Sequence, residues 1–359
     1  MKKTVLFLFF AFLFFACHQS NKTSIIFLDE HVIQDSLQFK NSILGGFSGI
    51  DFANNSFYLV IDDAEKPRYV KANMIIQSDK IKNIKFKDVV FLKDSTSNFY
   101  HENALDLESI FVDEKEVVFL VSEGSIRKNK LPSVFKINKK GEFLDSYQLP
   151  KHLTNLKNIK HNAAFEASSK SINKDGFWVA MEGVLHADGE EPTFQKTASP
   201  IRITYFDKKT KKATKQFAYQ LEHITKPAKG NINLNGVTAL LEYKENHFFI
   251  VERIYQSGYG AYGNIVQIFE AVIDDESTNV LEIDSLKNTS FIPLKKRLVF
   301  SFEDIRSQLN DGIVDNIEGI TFGPKLSNGN QSLVLVADDN FQIYGKQINQ
   351  FILLEIENK

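Results

Sequence analysis

The sequence predicts an all-β fold, a β-propeller of five four-stranded blades, and two observations support this prediction. Helical periodicity is scarce, whereas short runs of β-branched and aromatic residues alternate with Asn, Asp, Gly and Lys, as in strands and turns. A unit made of a short strand, a polar turn and a second apolar strand ending in carboxylates occurs five times. Because one such unit cannot bury its apolar faces alone, the copies are expected to pack around a common axis.

The predicted strands follow the same order in each unit. The first and second strands of the five units are Ser48–Phe52 with Phe57–Asp63, Leu107–Phe111 with Phe119–Gly124, Phe165–Ser168 with Phe177–Gly183, Asn235–Leu240 with Phe248–Arg253, and Ile317–Phe322 with Leu333–Asn340. The third strands are Arg68–Ile76, Ser133–Asn138, Ile201–Asp207, Ile265–Ile273 and Phe351–Ile356. Fourth strands are expected at Ile84–Leu92, Phe143–Leu149, Lys215–Leu221 and Lys296–Phe302.

The fifth unit reaches the C-terminus after three strands, and a strand-like segment, residues 24–34, lies at the other end of the chain. We expect this N-terminal segment to supply the missing outer strand, because closing the ring hides a sheet edge. The segment 256–315 is also long enough to contain an irregular extra blade, so six blades are the alternative.

The N-terminus has the features of an export signal. Lys2 and Lys3 precede an apolar run that is too short to span a bilayer. The stretch ending in Cys17 (Leu-Phe-Phe-Ala-Cys) resembles a bacterial lipobox, which implies a signal peptide at 1–16 and a lipidated Cys17. Residues 17–24 would then tether a single propeller domain, 25–359, at the outer membrane, in the periplasm or on the cell surface. The alternative is an ordinary signal peptide with an incidental cysteine.

Composition excludes several classes of protein. A single Cys rules out a disulfide scaffold and a Cys-rich zinc module. The balance of 43 Lys+Arg against 45 Asp+Glu gives no electrostatic basis for binding nucleic acid. We therefore expect a monomer whose partners are a small molecule and, through Cys17, the membrane.

The repeated unit places polar residues at two equivalent positions. The first-strand position offers Ser48, Glu108, Glu166, Asn235 and Glu318. The end of the second strand offers Asp62 or Asp63, Glu123, Glu182, Glu252, and Asp338 or Asp339. Because the first strand of every propeller blade lines the central channel, we expect these side chains to converge on one site.

Converging carboxylates repel one another, so they must bind a cation, pair with Arg or Lys, or take up protons. Carboxylates suit a hard divalent cation, and Ca²⁺ is favoured over Mg²⁺. The predicted metal ligands are Asp63, Glu108, Glu166, Glu318 and Asp339. The predicted catalytic residues are Arg253 and a general base among Glu123, Glu182 and Glu252. The predicted substrate-binding residues are Arg68, Arg127, Arg202 and Asn340.

The same residues carry a family resemblance. In order along residues 41–357, the chain has Leu-Gly-Gly-Phe-Ser-Gly-Ile-Asp-Phe from 44, Asp-Asp at 62, Leu-Asp-Leu-Glu-Ser-Ile from 105, Ser-Glu-Gly at 122, the segment 162–166, Glu-Arg at 252, Asp-Asn-Ile-Glu-Gly-Ile from 315 and Asp-Asp-Asn-Phe from 338. This pattern resembles the "esterase-like activity of phytase" family. The resemblance implies a secreted or lipid-anchored bacterial propeller with esterase or phosphoesterase activity. The chain departs from the family pattern at Ser109 and Ala167, which replace the Gly that often follows the motif glutamate.

Three functions are consistent with these residues. In the first, a metal-dependent ester hydrolase acts on phosphate esters; in the second, a non-catalytic propeller binds a ligand or partner at the cell surface. In the third, the acidic residues only fix the blades to one another. The sequence has no Gly-x-Ser-x-Gly motif, and no His lies near Ser48 in the repeat, so a serine hydrolase is unsupported.

Overall fold

A computed structural model describes residues 23–93 and 97–358. The chain begins with strand β1 (Thr23–Ile33) and a hairpin of β2 (Leu37–Phe39) and β3 (Ser42–Leu44). Blade one contains β4 (Phe47–Ala53), β5 (Ser56–Ile61), β6 (Arg68–Gln77) and β7 (Lys80–Phe91). Blade two contains β8 (Leu107–Val112), β9 (Val118–Ser122), β10 (Ser133–Ile137) and β11 (Phe143–Ser146). Blade three contains β12 (Phe165–Lys170), β13 (Gly176–Met181), β14 (Pro200–Asp207) and β15 (Lys212–Gln220).

Two further blades complete the ring. Blade four contains β16 (Asn233–Lys244), β17 (His247–Gln256), β18 (Asn264–Val272) and β19 (Lys295–Ser301). Blade five contains β20 (Asn316–Lys325), β21 (Gln331–Asp338), β22 (Asn349–Asn358) and, as its outer strand, β1. The helical segments are short: α1 (Phe99–Glu102) and 3-10 turns at Ile126–Lys128, Lys151–Leu153, Leu156–Asn158, Gly260–Tyr262, Phe302–Gln308, Asn310–Gly312 and Asn340–Gln342.

The predicted five-bladed propeller, closed by the N-terminal strand, is confirmed. Strand β1 pairs with the last strand in antiparallel register, with Ile25 opposite Ile356. The innermost strands β4, β8, β12, β16 and β20 contact one another in cyclic order. The alternative of six blades is wrong, because the described segment 256–315 forms two strands of blade four and the irregular connection between them.

Aromatic side chains fill the space between neighbouring blades. Between blades two and three, the rings of Phe111 and Phe119 stack with centroids 4.5 Å apart. Phe177 and Phe206 stack at 5.5 Å in the same core, and Tyr147 meets Phe177 edge-on. Each of these buried rings is a large apolar contribution to folding, about 1.5–3 kcal/mol per side chain. The high Phe content therefore follows from packing sheets face to face.

Polar contacts join the blades at the end of the axis where Asp51 lies. The buried Asp51 on β4 accepts a hydrogen bond from Val112 N of blade two at 2.8 Å. Lys170 of blade three lies 2.8 Å from the same carboxylate. Thr321 of blade five donates to Asp51 at 3.5 Å. This polar contact therefore joins four of the five blades at one end of the axis.

The connection between β18 and β19 covers the outer strand of blade three. Leu294 N bonds to Ala218 O at 2.9 Å, and Val280 N bonds to Gln216 O at 2.7 Å. Beneath this connection Arg202 and Asp188 form a fully buried bidentate ion pair with bonds of 2.6 and 2.8 Å. The ion pair holds the inserted connection and two blades together.

The predicted signal peptide, 1–16, and the lipidation site Cys17 lie outside the described residues. Within the described part of the chain, no helix has the length and apolar character needed to cross a membrane.

We predict that Asp188→Asn destabilises the protein by about 3–5 kcal/mol, because it leaves the charge of Arg202 buried without a counterion. The measurement is the free energy of unfolding in urea. Asp284→Asn is the matched control, since Asp284 pairs with Lys151 at 3.5 Å and is 72% exposed. The control should unfold close to the wild type. Equal losses in the two variants would contradict the role given to Asp188.

Candidate metal centre on the propeller axis

Every innermost strand has a β-bulge in its pairing with the second strand, at equivalent positions in all five blades. The pairing with the second strand skips one residue at each of these positions, which are Ser48, Glu108, Glu166, Thr238 and Glu318. A bulge leaves its residue out of the ladder and re-aims the side chain. The fourth unit is therefore shifted from the predicted alignment, and Thr238 instead of Asn235 occupies the equivalent position.

Three of the bulged residues bring carboxylates together. One oxygen from each of Glu108, Glu166 and Glu318 lies within 4.8 Å of the others, and all three side chains are buried. We call these residues the axial glutamates. Ser48 and Thr238, at the two remaining positions, each donate a 2.6 Å hydrogen bond to a carbonyl of the next innermost strand. The ring therefore consists of three acids and two hydroxyl groups that fix neighbouring blades.

A second set of residues lies on the second strand of each blade or directly after it. The residue just before each bulge pairs with a residue of the second strand, and the member of the set is the next residue along the chain. The set is Asp62, Glu123, Glu182, Arg253 and Asp338. Four of these are acids, and blade four contributes an arginine instead. The sequence predicts Glu252 for this position in blade four, and Asp63 and Asp339 as the metal ligands in blades one and five. The structure places their neighbours Arg253, Asp62 and Asp338 there.

Two polar residues were missed by the sequence reasoning. Asp106 and Asn316 each lie two residues before an axial glutamate, in Asp-Leu-Glu and Asn-Ile-Glu. Strand alternation puts residues two apart on one face, and this spacing is the signal that would have found them. Oxygens of Asp62, Asp106 and Glu108 lie within 4.8 Å of one another. We call the axial glutamates together with Asp62, Asp106, Glu123, Glu182 and Asp338 the acid cluster.

Asn316 contributes an oxygen that lacks a partner. Its Nδ2 donates to Glu318 Oε1 at 2.6 Å, and the side chain is buried. Its Oδ1 is buried and has no hydrogen-bond partner in the structure. A buried carbonyl oxygen without a donor is costly, but it is also a ligand that a hard cation accepts.

Burial and mutual repulsion raise the pKa values of several carboxyl groups of the acid cluster. Burial raises the pKa of Asp62 to about 10, and the neighbouring Asp106 adds to the shift. Burial also raises the pKa of Glu123 to about 8, and the pKa values of Glu182 and Asp338 to about 7. Burial and then nearby carboxylates hold the pKa of each axial glutamate well above its usual range. The cluster therefore requires protons or a cation at neutral pH.

Arg253 is a cation at the edge of the acid cluster. Its Nη2 lies 3.5 Å from Glu182 Oε1 and 3.8 Å from Glu318 Oε1, and the side chain is 16% exposed. Its Nε is buried without a hydrogen-bond partner. One guanidinium at these distances offsets only part of the negative charge of eight carboxyl groups. The remaining demand for positive charge, with the oxygen donors, fits a hard divalent cation.

Glu252, predicted as a general base, lies in a separate buried network. Its Oε1 accepts hydrogen bonds from Tyr219 and Lys296, both at 2.6 Å. Its Oε2 accepts from Asn235 Nδ2 at 2.8 Å and from Glu222 N at 2.9 Å. These four donors fix the Glu252 carboxylate between blades three and four.

Asp63, predicted as a metal ligand, and Arg68, predicted to bind substrate, form an ion pair with each other. Arg68 Nη1 donates to Asp63 Oδ2 at 2.6 Å, and Arg68 Nε donates to Ser42 at 2.7 Å. This pair fixes the β2–β3 hairpin on blade one. Arg202 lies in the buried pair with Asp188, and neither Arg68 nor Arg202 is brought to the acid cluster.

Asp339 joins blade five to blade one. Its Oδ1 accepts from Gly46 N at 2.7 Å, and its Oδ2 accepts from Asn349 Nδ2 at 2.9 Å. Gly46 has φ +61, and a Cβ there would lie 2.5 Å from the ring of Phe341, so only glycine fits this contact.

Asn340, predicted to bind substrate, donates its backbone N–H to Asp338 at 2.7 Å. Arg127 is exposed in the connection between β9 and β10, at the same end of the propeller.

The fold and this cluster define a five-bladed propeller with a buried acidic cluster at one end of its axis. The chain belongs to the phytase-like family, described as "esterase-like activity of phytase", whose model matches residues 42–341. The family resemblance predicted from the motifs is thereby confirmed. No curated protein matches the sequence significantly.

Solved structures with a similar fold include two glycan-directed enzymes. One is an endo-arabinase from Bacteroides thetaiotaomicron VPI-5482, with 12% identity over 88% of this chain and 95% of that chain and a TM-score of 0.46. Another is an exo-β-1,3-galactanase from Phanerochaete chrysosporium, solved with β-1,3-galactotriose, with 11% identity over 92% of this chain and 64% of that chain and a TM-score of 0.46. At these identities the likeness concerns the fold alone.

We predict that, with metal ions removed by EDTA, the free energy of unfolding falls as the pH rises from about 5 to about 8. Glu123 and Glu182 have pKa values of about 8 and about 7 in the folded protein, above the 4.5 of a free glutamate. Between these values the folded state binds more protons than the unfolded state, so ionisation costs stability. Urea midpoints in EDTA measure the slope, and the double variant Glu123→Gln with Glu182→Gln should flatten it.

Glu114→Gln is the control for this pH series, because Glu114 is exposed and Lys174 lowers its pKa. The control should keep the slope of the wild type. If the double variant and the wild type had the same slope, the acid cluster would not be the origin of the pH dependence.

Proposed function

We propose that the acid cluster binds a divalent cation and that the protein is an exported hydrolase of phosphate esters. The convergence of the three axial glutamates, with carboxylate oxygens within 4.8 Å of one another, carries this proposal. The buried, unpartnered Asn316 Oδ1 beside Glu318 supports it independently. All these donors are oxygens, which favours Ca²⁺, with Mg²⁺ as the alternative.

The axial glutamates and Asn316 would hold the cation. When bound, the cation would neutralise the carboxylates and polarise a phosphoryl oxygen. Arg253 lies beside Glu182 and Glu318 with an unpaired Nε, so it is placed to bind the anionic oxygens of the ester.

Glu182 is the proposed general base. Its carboxyl group lies at the edge of the cluster, and burial raises its pKa to about 7. A base whose pKa is close to the working pH combines the ionised form with sufficient basicity to take a proton from water. Burial raises the pKa of Glu123 to about 8, and Glu123 is the second candidate for the general base.

Export and lipidation of Cys17 complete the proposal. Strand register places Ile25 on the row of Ile356, Gln331 and Lys325, at the opposite end of blade five from Asn316 and Asp338. A lipid anchor a few residues before Thr23 would therefore hold the end of the propeller that is remote from the acid cluster. The cluster would face away from the membrane, toward diffusing substrate.

We predict that Ca²⁺ raises the thermal midpoint of the protein by several degrees and that phosphate-ester hydrolysis depends on it. Glu318→Gln should abolish the shift and lower kcat/KM by roughly 100-fold. Differential scanning fluorimetry with Ca²⁺ and Mg²⁺, followed by a phosphate-ester panel, measures both.

Glu242→Gln is the matched control, because Glu242 is equally buried on an innermost strand but accepts from Ile172 N and Asn246 N at 2.8 and 2.9 Å. It should lower stability and keep the metal-dependent shift. A metal-dependent shift without turnover would favour a non-catalytic binding propeller. The absence of any shift would refute the cation site.

We predict that Cys17→Ser moves the protein from the membrane fraction to the soluble fraction of the producing bacterium, because the acyl chains are its attachment. Fractionation and mass spectrometry of the mature N-terminus measure this. A wild-type protein found in the soluble fraction, or cleaved at another residue, would contradict lipidation of Cys17.

A further inference from the structure

The face of blade four that carries Arg253 borders the acid cluster. Arg253 lies opposite Gly236 in the pairing of β16 with β17, so the two residues share one face of the sheet. A Cβ on Gly236 would lie 2.7 Å from Glu182 Cγ. Arg253 Nη2 lies 3.5 Å from Glu182 Oε1. This face of blade four is therefore in direct contact with the proposed general base.

Apolar residues follow on the same face toward solvent. Leu234 is two residues before Gly236 and lies opposite Tyr255, so both side chains are on that face. The ladder continues beyond β16, because Ser257 N donates to Ile232 O at 3.0 Å. Ile232 therefore lies on the same face, two residues further from the cluster. We call Ile232, Leu234 and Tyr255 the apolar strip.

The apolar strip is open to solvent, although the sheet beside it is buried. Leu234 is 55% exposed and Ile232 is 47% exposed, whereas Gly236 is buried. A single exposed apolar side chain is ordinary in a folded protein, so exposure by itself identifies no site. The strip differs because its side chains are in register with Arg253, in steps of about 7 Å along the strand.

The other four blades have no large exposed apolar side chain at the position of Leu234, which the structure describes in every blade. This position lies three residues before the residue that precedes the bulge. Its occupants in blades one, two, three and five are Leu44, Ala104, Asn162 and Val314. Leu44 and Val314 are buried, and the other two are small or polar. The uncovered leucine thus belongs to the same blade as the arginine of the cluster.

We propose that the apolar strip binds the organic group of the ester, so that the protein prefers aryl phosphates to phosphate esters of polyols. This inference rests on the proposed function, which places the phosphoryl group at Arg253 and the cation. An aryl group attached to that phosphate lies along the strip, where Leu234 and Tyr255 remove its apolar surface from water. A polyol has little such surface, and its hydroxyl groups lose hydrogen bonds to water against these side chains.

Kinetics with paired substrates test the apolar strip. 2-Naphthyl phosphate and glycerol 2-phosphate carry the same phosphoryl group on an aromatic and on a polyol leaving group. The wild type should have the lower KM for 2-naphthyl phosphate. Leu234→Ala should reduce the ratio of kcat/KM for 2-naphthyl phosphate to that for glycerol 2-phosphate about tenfold, through KM, because apolar contact with the ring is lost. Leu234→Met, which keeps an apolar side chain of similar size, should retain the wild-type ratio.

The matched control is Leu298→Ala, because Leu298 is 48% exposed on β19, the outer strand of the same blade. It should keep the wild-type ratio, and thermal midpoints establish that each variant is folded. An unchanged ratio in Leu234→Ala, or an equal fall of kcat/KM for both substrates, would overturn the assignment of the strip. So would a wild-type KM that is no lower for 2-naphthyl phosphate than for glycerol 2-phosphate.

A failure of hydrolysis can be separated from a failure of the apolar strip to bind the aryl group. If the wild type turns over neither substrate, calorimetric binding of 2-naphthyl phosphate in the presence of Ca²⁺ still tests the strip. Weaker binding by Leu234→Ala than by Leu298→Ala supports the assignment. Equal binding by the two variants, or no binding by the wild type, overturns it.

Discussion

The β-bulge repeated at the equivalent position of every innermost strand is the constraint on which the site depends. A regular strand pair would turn successive side chains alternately to the two faces of a blade, whereas the skipped residue is released toward the axis. In blades two, three and five that residue is Glu108, Glu166 or Glu318, and in the other two blades a hydroxyl group bonds the adjacent strand. The same backbone irregularity therefore builds the ring and delivers its chemistry.

Collecting acids on an axis has an electrostatic cost. Burial and mutual repulsion raise the pKa of Asp62 to about 10 and that of Asp338 to about 7, so ionisation of the cluster opposes folding. Without metal, the protein loses stability as these groups ionise at high pH. A bound cation would replace the protons and restore that stability. A single Arg253 at the edge of the cluster is too little charge to remove this dependence.

Acidic residues in this propeller have two distinct functions, and their partners separate them. Asp51, Asp188, Glu252 and Asp339 each accept several hydrogen bonds from other blades or connections, and these bonds hold the ring together. The axial glutamates receive few donors and face one another. The interpretation of acidic residues as contacts between blades thus describes the first group, and a cation site is proposed for the second.

The sequence by itself determined the all-β class, the five repeated units, the closing N-terminal strand, the family and the three axial glutamates, because strand alternation and repeat spacing are local properties of the chain. Only the tertiary structure decided which of two adjacent residues enters the site: Asp62 over Asp63, Arg253 over Glu252, Asp338 over Asp339. A one-residue change of register reverses the face to which a side chain points, and a bulge makes that change without altering composition. The approach of Asp106 to Asp62 of blade one likewise depends on how distant connections meet, which no single segment specifies.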